Sequence, residues 1–598
     1  MSAALLVSIA IILFILAYKT YGNYVSKKLS INDKTLTPSH TQNDGIDYVP
    51  AKSPVLLGHH FASIAGAGPI VGPIMASIFG WIPVVLWIII GSIFIGAVHD
   101  FSSIVASARH QGKSIGEVIE KYIGLSGKRL FLIFTWFTLI LVIAVFARVV
   151  ATTFIVNPAV ATASFLFMLV ALLFGFGIHR RKFPLAISSI VGVILIFACI
   201  VIGARFPLSV FPIYLNNSLN SEIVQHVEQG EISSIHNLNS IKTYYEEQND
   251  SAKLAQITQA ETKTFNFWIY ILLVYIFIAA TTPVWILLQP RDYLNSFLLY
   301  GLLILGVIGV YFANPTIQID AAHFSTDRMG FIFPILFVTV ACGAISGFHS
   351  LVGSGTTSKQ LDKESDAKII GFGGMLIESV LAVVALIAAA SLMKDKFSAM
   401  YAANKFIPMF SEGVGSFIAS IPLLNISKAG ANTFSALAVS AFALTSLDTC
   451  ARLARFVFQE FFKPKASEKQ SKKETFLSNR FVGTGISVLA GWLFIISGTA
   501  QTIWPIFGSA NQLLAALALL AVSVWLAHMK KKNLFIIIPM FFMFLVTLSA
   551  LGLLIYNSLE KGNFILLSVG NVLFVVALIL VVQGIKSLRK SARIQAKA

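Results

Sequence analysis

The chain has 598 residues, of which 56% are hydrophobic and only 12% are charged, and its mean hydropathy is +0.81. Soluble domains carry about 25% charged residues, so the composition excludes a soluble protein and predicts an all-α polytopic membrane protein. The net charge of +17 would suit nucleic acid. Basic residues are expected, however, in the cytoplasmic loops of any multi-pass membrane protein, so lipid is the predicted environment and no nucleic-acid partner is expected.

About fifteen apolar stretches are long enough to cross the membrane, since about 30 Å of hydrocarbon requires about 20 residues in a helix. In chain order they lie near residues 2–18, 55–79, 81–107, 129–154, 158–178, 184–204, 265–288, 293–313, 331–353, 367–392, 431–458, 480–498, 503–527, 533–556 and 563–585. Basic clusters, the short turn at Arg291 among them, fall in alternate connections. This alternation predicts an N-terminus outside and a C-terminus in the cytoplasm.

Two of these stretches contain small residues that lead into a proline: "IAGAGP" at 64–69 and "IAATTP" at 278–283. Broken helices at corresponding positions of inverted repeats mark the binding sites of secondary transporters. The two stretches are five spans apart. Because a unit of five spans crosses the membrane an odd number of times, a second such unit directly after it is inverted relative to the first. The alternative is that the small residues only permit close helix packing.

The predicted spans and the two breaks together divide the chain into five regions. They are a first span with a cytoplasmic loop (1–54), a first five-helix repeat (55–205), an extracytoplasmic polar loop with partial helix (206–264), a second, inverted five-helix repeat (265–460), and accessory spans with a basic tail (461–598). Backbone groups freed at the breaks are expected to bind substrate, with a half-helix N-terminus favouring a carboxylate.

Histidines and carboxylates inside the apolar stretches are candidates for proton coupling. His59 and His60 are adjacent and point about 100° apart on a helix, so they do not suit one metal ion and no metal is expected. A proton-responsive role suits them; hydrogen bonding to nearby backbone is the alternative. Glu378 lies near the middle of the tenth span, where an ionisable group indicates function. It is predicted to hold a proton or a substrate ammonium group, or else to form an ion pair with Arg148.

Further polar residues lie towards the predicted cytoplasmic ends of spans. His99 and Asp100 end the third span and form a gate or an interfacial helix end, with Asp100 as a further proton candidate. In "LTSLDTCARLARF", Asp448 and Arg452 are spaced i,i+4, which favours a gating or structural pair.

The ninth span ends in "CGAISGFHSLVGSGTTSKQ", where glycines, hydroxyls and a histidine offer ligands for a small cation or a polar substrate. A small-residue packing face is the alternative reading of this stretch. The binding candidates in it are Ser346, His349, Thr356 and Thr357.

Motifs of other functional classes are missing from the sequence. It contains no GxxxxGK[ST], HExxH or GxSxG pattern, so no direct use of ATP and no enzyme are predicted. A transporter-like sensor would need a sizeable cytoplasmic domain, and the longest predicted cytoplasmic connection is only about 35 residues. A channel would not require broken helices in inverted repeats.

Six motifs in order, "DGIDYVP…GHHFASIAGAGPIVGP", "HDF", "ATTPVWILLQPRDYLN", "CGAISGFHSLVGSGTTSKQ", "LTSLDTCARLARF" and "WPIFGSANQLLA", resemble the carbon starvation protein A (CstA) family of bacterial inner-membrane transporters. The resemblance implies a LeuT-like core of two inverted five-helix repeats with discontinuous helices. Cys450 and Gly353 depart from the residues expected at their positions. The site that the resemblance implies lies at His59–Pro69, Thr281–Pro283 and Gly347–Thr357. Together with the residue patterns above, the predicted substrate-binding residues are His59, His60, Gly66, Gly68, Thr281, Thr282, Ser346, His349, Thr356 and Thr357.

The family implies peptide uptake during carbon or nutrient starvation, and in some members proton-driven uptake of pyruvate. The sequence therefore predicts a secondary active transporter for short peptides in the bacterial cytoplasmic membrane. A small carboxylate such as pyruvate is the alternative substrate. The expected coupling ion is the proton, with sodium as the alternative, and no other cofactor is expected. The oligomeric state is left open.

Overall fold

The computed structural model describes residues 2–45, 47–283, 286–462, 472–497 and 500–597. Within these ranges the chain is helical almost throughout, apart from one antiparallel ribbon that pairs Ser325–Thr326 with Gly330–Phe331. Among the described residues, thirteen helices are long and apolar enough to cross a membrane, or fourteen if one bent helix pair counts as a span. The predicted all-α, multi-pass membrane architecture is confirmed.

The long helices are Ala3–Lys19, Trp81–Ala108, Leu125–Val156, Pro158–His179, Leu185–Arg205, Ser251–Thr281, Leu288–Ala313, Ile332–Gln360, Lys368–Ala390, Lys428–Phe461, Ala500–His528, Leu534–Glu560 and Phe564–Lys597. The shorter ones are Tyr21–Leu29, Pro38–Thr41, Ser53–Ile64, Gly68–Ala76, Ile115–Tyr122, Asn217–Glu228, Leu238–Glu247, Lys394–Ala402, Phe406–Ala419, Lys472–Leu477 and Arg480–Ser497. The predicted span 480–498 corresponds to the apolar helix Arg480–Ser497, which is not among the thirteen spans found in the described residues, so the count of fifteen crossings remains a prediction.

The first predicted break is confirmed, and we call this segment the first broken span. Helix Ser53–Ile64 stops, and the chain resumes as Gly68–Phe79 at an angle of 48°. Pro69 lies at the start of the second half, where its missing N–H costs nothing. A Cβ on Gly68 would lie 2.6 Å from the Cys342 sulfur. A glycine is therefore needed where the second half-helix touches the segment that contains Cys342.

The second break lies in a different place from the one predicted. Helix Ser251–Thr281 runs unbroken to its end and Leu288–Ala313 follows as a separate helix, so Pro283 lies in a connection between spans. The interruption falls instead within Ile332–Gln360, which we call the second broken span. Its helix stops at Val340, a 3₁₀ turn covers Ala341–Gly343, and the helix resumes at Gly347. The boundaries and inverted symmetry of the two repeats therefore remain predictions.

The two broken spans pack against each other at their breaks. A Cβ on Gly72 would lie 2.4 Å from the Val340 carbonyl oxygen. Ala51 and Gln360 lie at one end of the bundle, which we call the basic end. There the Ala51 N–H donates to the Gln360 carbonyl at 3.0 Å. At the opposite end, the loop end, the Gln318 N–H donates to the Ala390 carbonyl at 2.7 Å. The spans thus enclose a central region between two defined ends.

The polar region 206–264 contains the partial helix that was expected. Helices Asn217–Glu228 and Leu238–Glu247 pack together, and the buried Tyr245 hydroxyl donates to Glu222 at 3.1 Å. These helices are short and amphipathic, so they form a small folded excursion between spans. Its placement outside the cell remains a prediction.

Candidate functional site

Four ionisable side chains form a continuous buried chain in the middle of the bundle, which we call the acid–histidine chain. Glu378 Oε2 lies 3.3 Å from His349 Nε2, and His349 Nδ1 lies 2.7 Å from Asp100 Oδ2. The other oxygen of Asp100 lies 2.7 Å from His99 Nδ1. All four residues are at most 1% exposed. The sequence singled out each of them separately, and the structure joins them.

Three helices supply these side chains, and glycines let the helices approach closely. His349 belongs to the second broken span, His99 and Asp100 to Trp81–Ala108, and Glu378 to Lys368–Ala390. A Cβ on Gly96 would lie 2.4 Å from the Ala344 carbonyl oxygen, and one on Gly371 would lie 2.8 Å from the Phe101 backbone. Small residues at membrane helix interfaces permit such contact.

The acid–histidine chain has fewer hydrogen bonds than its polar atoms can make. Among the described residues, neither Glu378 oxygen nor His349 Nε2 has a hydrogen-bond partner of good geometry. A buried carboxylate without donors is costly unless it is protonated or paired with a charge. Two carboxylates flank His349, so one proton on its imidazole offsets only one of them. A second proton, on one of the carboxylates, would make Glu378, His349 and Asp100 neutral as a group. These three side chains can therefore gain and lose protons.

A second polar contact links the two broken spans. His60 Nδ1 lies 2.8 Å from the Thr357 hydroxyl, and both side chains are fully buried. Nε2 of His60 has no partner among the described residues. Gly374, on the helix that carries Glu378, would place a Cβ only 3.5 Å from the His60 ring. His60 thus lies against the same helix as the acid–histidine chain.

Asn511 holds the restart of the second broken span. Its side-chain oxygen accepts the Phe348 N–H at 2.9 Å, and its amide donates to Ser346 Oγ at 3.0 Å. The first N–H groups of a helix lack partners within the helix, so Asn511 caps the new helix from a neighbouring element. Asn511 lies in the motif "WPIFGSANQLLA", and the sequence did not predict this role.

A cavity of about 530 Å³ lies near the basic end. Two predicted binding residues, His59 and Thr356, line it together with the gating candidate Arg452. Its other lining residues are Gly45, Asp47, Val49, Ser63, Arg180, Leu288, Asp292, Gly355, Lys359, Gln360, Thr449, Leu453 and Phe456. The cavity has the size of a small-molecule site.

The predicted pairing of Asp448 with Arg452 is wrong. Asp448 instead contacts the Arg291 guanidinium and accepts a hydrogen bond from the Tyr275 hydroxyl at 2.5 Å. Arg452 donates to the carbonyls of Ala279 and Thr282 at 2.7 and 2.6 Å. Arg291, expected in a cytoplasmic turn, is 1% exposed inside the bundle. The buried Asp448 carboxylate thus pairs with the Arg291 guanidinium, which belongs to another helix.

Two other expectations differ from the structure. His99 and Asp100 do not form an interfacial helix end, because they are buried eight or nine residues before the helix ends at Ala108. The ionic partner of Glu378 is His349, whereas Arg148 donates to the Ile495 carbonyl at 3.0 Å.

Four other predicted binding residues do not line the cavity. Thr281 and Thr282 bond carbonyls of their own helix through their side chains, at 2.9 and 2.7 Å. Gly66 and Gly68 serve close packing, since a Cβ on Gly66 would lie 2.5 Å from Ser446 Oγ. None of these four is among the described residues that line the cavity. Within the described ranges, no three His, Cys, Asp or Glu side chains are placed to hold a metal ion.

Comparison with known proteins supplies independent information. The sequence model of the family described as carbon starvation protein CstA matches residues 2–409 and 404–550. A peptide transporter CstA of Bacillus subtilis (strain 168) is 32% identical, over 92% of this chain and 90% of that protein. A peptide transporter CstA of Escherichia coli (strain K12) is 29% identical, over 89% of this chain and 78% of that protein.

Two further similarities extend this comparison. The pyruvate/proton symporter BtsT of Escherichia coli (strain K12) is 30% identical, over 93% of this chain and 82% of that protein. Among solved structures, a manganese transporter of Eremococcus coleocola overlaps with a TM-score of 0.49 at 10% identity, covering 92% of this chain and 99% of that one. The structural overlap is too weak to bear on fold or substrate.

Proposed function

Because the chain belongs to the carbon starvation protein CstA family, we propose that it is a proton-coupled secondary transporter that takes up short peptides during carbon or nutrient starvation. Pyruvate or another small carboxylate is the second candidate substrate, favoured by the similarity to the pyruvate/proton symporter. The protein acts in the bacterial cytoplasmic membrane, with its N-terminus outside and its C-terminus in the cytoplasm.

The observation that carries proton coupling is the acid–histidine chain. Glu378 and Asp100 flank one imidazole, His349, in a region without exposure to water. With His349 protonated and Glu378 ionised, the three groups carry one net negative charge. A proton on Glu378 removes that charge, and a neutral group moves through a low-dielectric region far more easily than a charged one.

Coupling follows because the three groups belong to three different helices. Alternating access moves one set of helices against another around a central site. Such motion changes the distance between Glu378 and His349, and with it the energy of ionised Glu378. Protonation thus favours one arrangement of the helices over the other, which is the differential interaction that a coupled conformational change requires.

The test compares two transport modes of the Glu378→Gln variant in proteoliposomes. A glutamine keeps the shape of a protonated glutamate but cannot release a proton. We expect the variant to lose gradient-driven accumulation of a labelled dipeptide and of pyruvate, while exchange of internal for external substrate persists. Unchanged accumulation in the variant would exclude Glu378 as the coupling group.

Glu364→Gln is the matched control. Glu364 is also a buried carboxylate, 2% exposed, but it pairs with Arg109 at 2.6 Å near the basic end. We expect this variant to retain both accumulation and exchange. Uptake that requires sodium and ignores the pH gradient would overturn proton coupling and leave a sodium symporter.

A further inference from the structure

Arg452 is a buried arginine whose guanidinium contacts no carboxylate of the described chain. It is 7% exposed and lines the basic-end cavity. One terminal nitrogen donates to the Ala279 and Thr282 carbonyls, and its Nε has no partner among the described residues. Within the described ranges, no carboxylate oxygen lies within 4.0 Å of its guanidinium. Arginine stays charged in proteins, and a buried unpaired charge is strongly destabilising. The site is therefore suited to an anion from outside the chain.

The same cavity also has a negative side. Asp292 lines it and pairs with Arg291 at 2.9 Å, while Arg291 also contacts Asp448. One guanidinium between two carboxylates leaves one negative charge in excess. Three further charged side chains, Asp47, Arg180 and Lys359, also line the cavity. Its polar lining includes Thr356, Thr449 and His59, whose Nδ1 has no partner among the described residues.

We propose that this cavity binds a zwitterionic short peptide, with its terminal carboxylate on Arg452 and its terminal ammonium group at Asp292. The inference rests on the proposed transport function and adds the residues that hold the two charged ends of the substrate. The volume of about 530 Å³ accommodates a small peptide. A three-carbon acid could use Arg452 but has no ammonium group to place at Asp292.

This assignment changes the roles expected for Arg452 and Glu378. Arg452 is a substrate anchor in place of a gate. Glu378, which the sequence predicted to hold a proton or a substrate ammonium group, lies with Asp100 in the acid–histidine chain, and neither is among the described residues that line the cavity. Substrate charge and coupling proton thus have separate sites.

The first experiment uses the unaltered protein and four competitors of labelled Ala-Ala uptake in proteoliposomes: Ala-Ala, N-acetyl-Ala-Ala, Ala-Ala amide and pyruvate. A lost charge-assisted contact weakens binding by about tenfold or more. We expect each blocked peptide, and pyruvate, to compete at least about tenfold less well than Ala-Ala. Equal competition by the acetylated or the amidated peptide would overturn the proposal.

The second experiment assigns each charge to its residue. Arg452→Gln should abolish the preference for Ala-Ala over the amide, and Asp292→Asn the preference over the acetylated peptide. Arg455→Gln is the control, because Arg455 is equally buried on the same helix but does not line the cavity; both preferences should persist. Loss of both preferences in the control would overturn the assignment. If a variant does not fold, the competitor series on the unaltered protein decides.

Failure of this inference is distinguishable from failure of the proposed function. Proton-driven uptake of pyruvate without any binding of Ala-Ala would overturn the peptide site and leave a proton-coupled transporter. Absence of uptake for both substrates, with either cation gradient, would overturn the proposed function and the inference with it.

Discussion

The pairing of Arg291 with Asp448 is the feature in which the structure departs most sharply from the sequence pattern, and a double-mutant cycle tests it. The structure places the Arg291 guanidinium against Asp448 and, at 2.9 Å, against Asp292. The i,i+4 pattern would instead pair Asp448 with Arg452. We compare Asp448→Asn and Arg291→Gln with their double variant, and Asp448→Asn and Arg452→Gln with theirs.

The expected magnitudes follow from burial and contact. Arg291 is 1% and Asp448 0% exposed, so the attraction between them is little screened by water. Two unit charges about 4 Å apart attract by about 4 kcal/mol at an effective dielectric constant of about 20. Removing one partner of a buried pair costs about 3–5 kcal/mol. We therefore expect a coupling free energy of about 3 kcal/mol for Arg291 with Asp448. For Arg452 with Asp448 we expect about 1 kcal/mol or less, because the two are not in contact.

The assay is equilibrium unfolding of the detergent-solubilised protein in a denaturing detergent series, monitored by circular dichroism. Each cycle yields the coupling free energy from four unfolding free energies. A coupling below about 1 kcal/mol between Arg291 and Asp448, together with a larger one between Arg452 and Asp448, would refute the observed pairing and restore the i,i+4 pair.

Two further predictions concern the second broken span and are read by thermal unfolding in detergent. Gly347→Ala should destabilise the protein by about 1–3 kcal/mol, because its Cβ would lie 2.3 Å from the Asn511 carbonyl oxygen; the control Gly355→Ala, which meets only a Leu453 methyl group at 3.2 Å, should have a much smaller effect. An equal effect of the two alanines would contradict the packing described. Asn511→Leu should cost about 1–3 kcal/mol, because the buried Phe348 N–H loses its acceptor; an unchanged melting temperature would contradict the capping role.

Local sequence patterns were sufficient for most of the spans and for the first break. Apolar length predicted the membrane helices, and the small residues before Pro69 predicted the bend between Ile64 and Gly68. Both features depend on residues close together in the chain. The second break was misplaced because Pro283 gives the stronger local signal, whereas the break at Ala341–Gly343 contains no proline. That break forms where the opposite half-helix approaches through Gly68 and Gly72.

The contacts within the candidate site could not be predicted from one sequence. The sequence identified Glu378, His349 and Asp100 as unusual because they are ionisable residues in apolar stretches. Their joining depends on helix packing, since His349 and Asp100 are 249 positions apart. For Asp448, the regular i,i+4 spacing suggested a local partner, and the actual partner Arg291 comes from 157 positions away. Composition and spacing thus indicate which residues are candidates, and tertiary packing decides their partners.

The central claim, that protons enter with substrate through the acid–histidine chain, is tested most directly by recording internal pH during uptake. Proteoliposomes with a trapped pH-sensitive dye and no imposed gradient receive external Ala-Ala or pyruvate. We expect acidification of the interior on addition of the transported substrate for the unaltered protein and none for Glu378→Gln. Substrate entry without acidification in the unaltered protein, or equal acidification in the variant, would contradict the account.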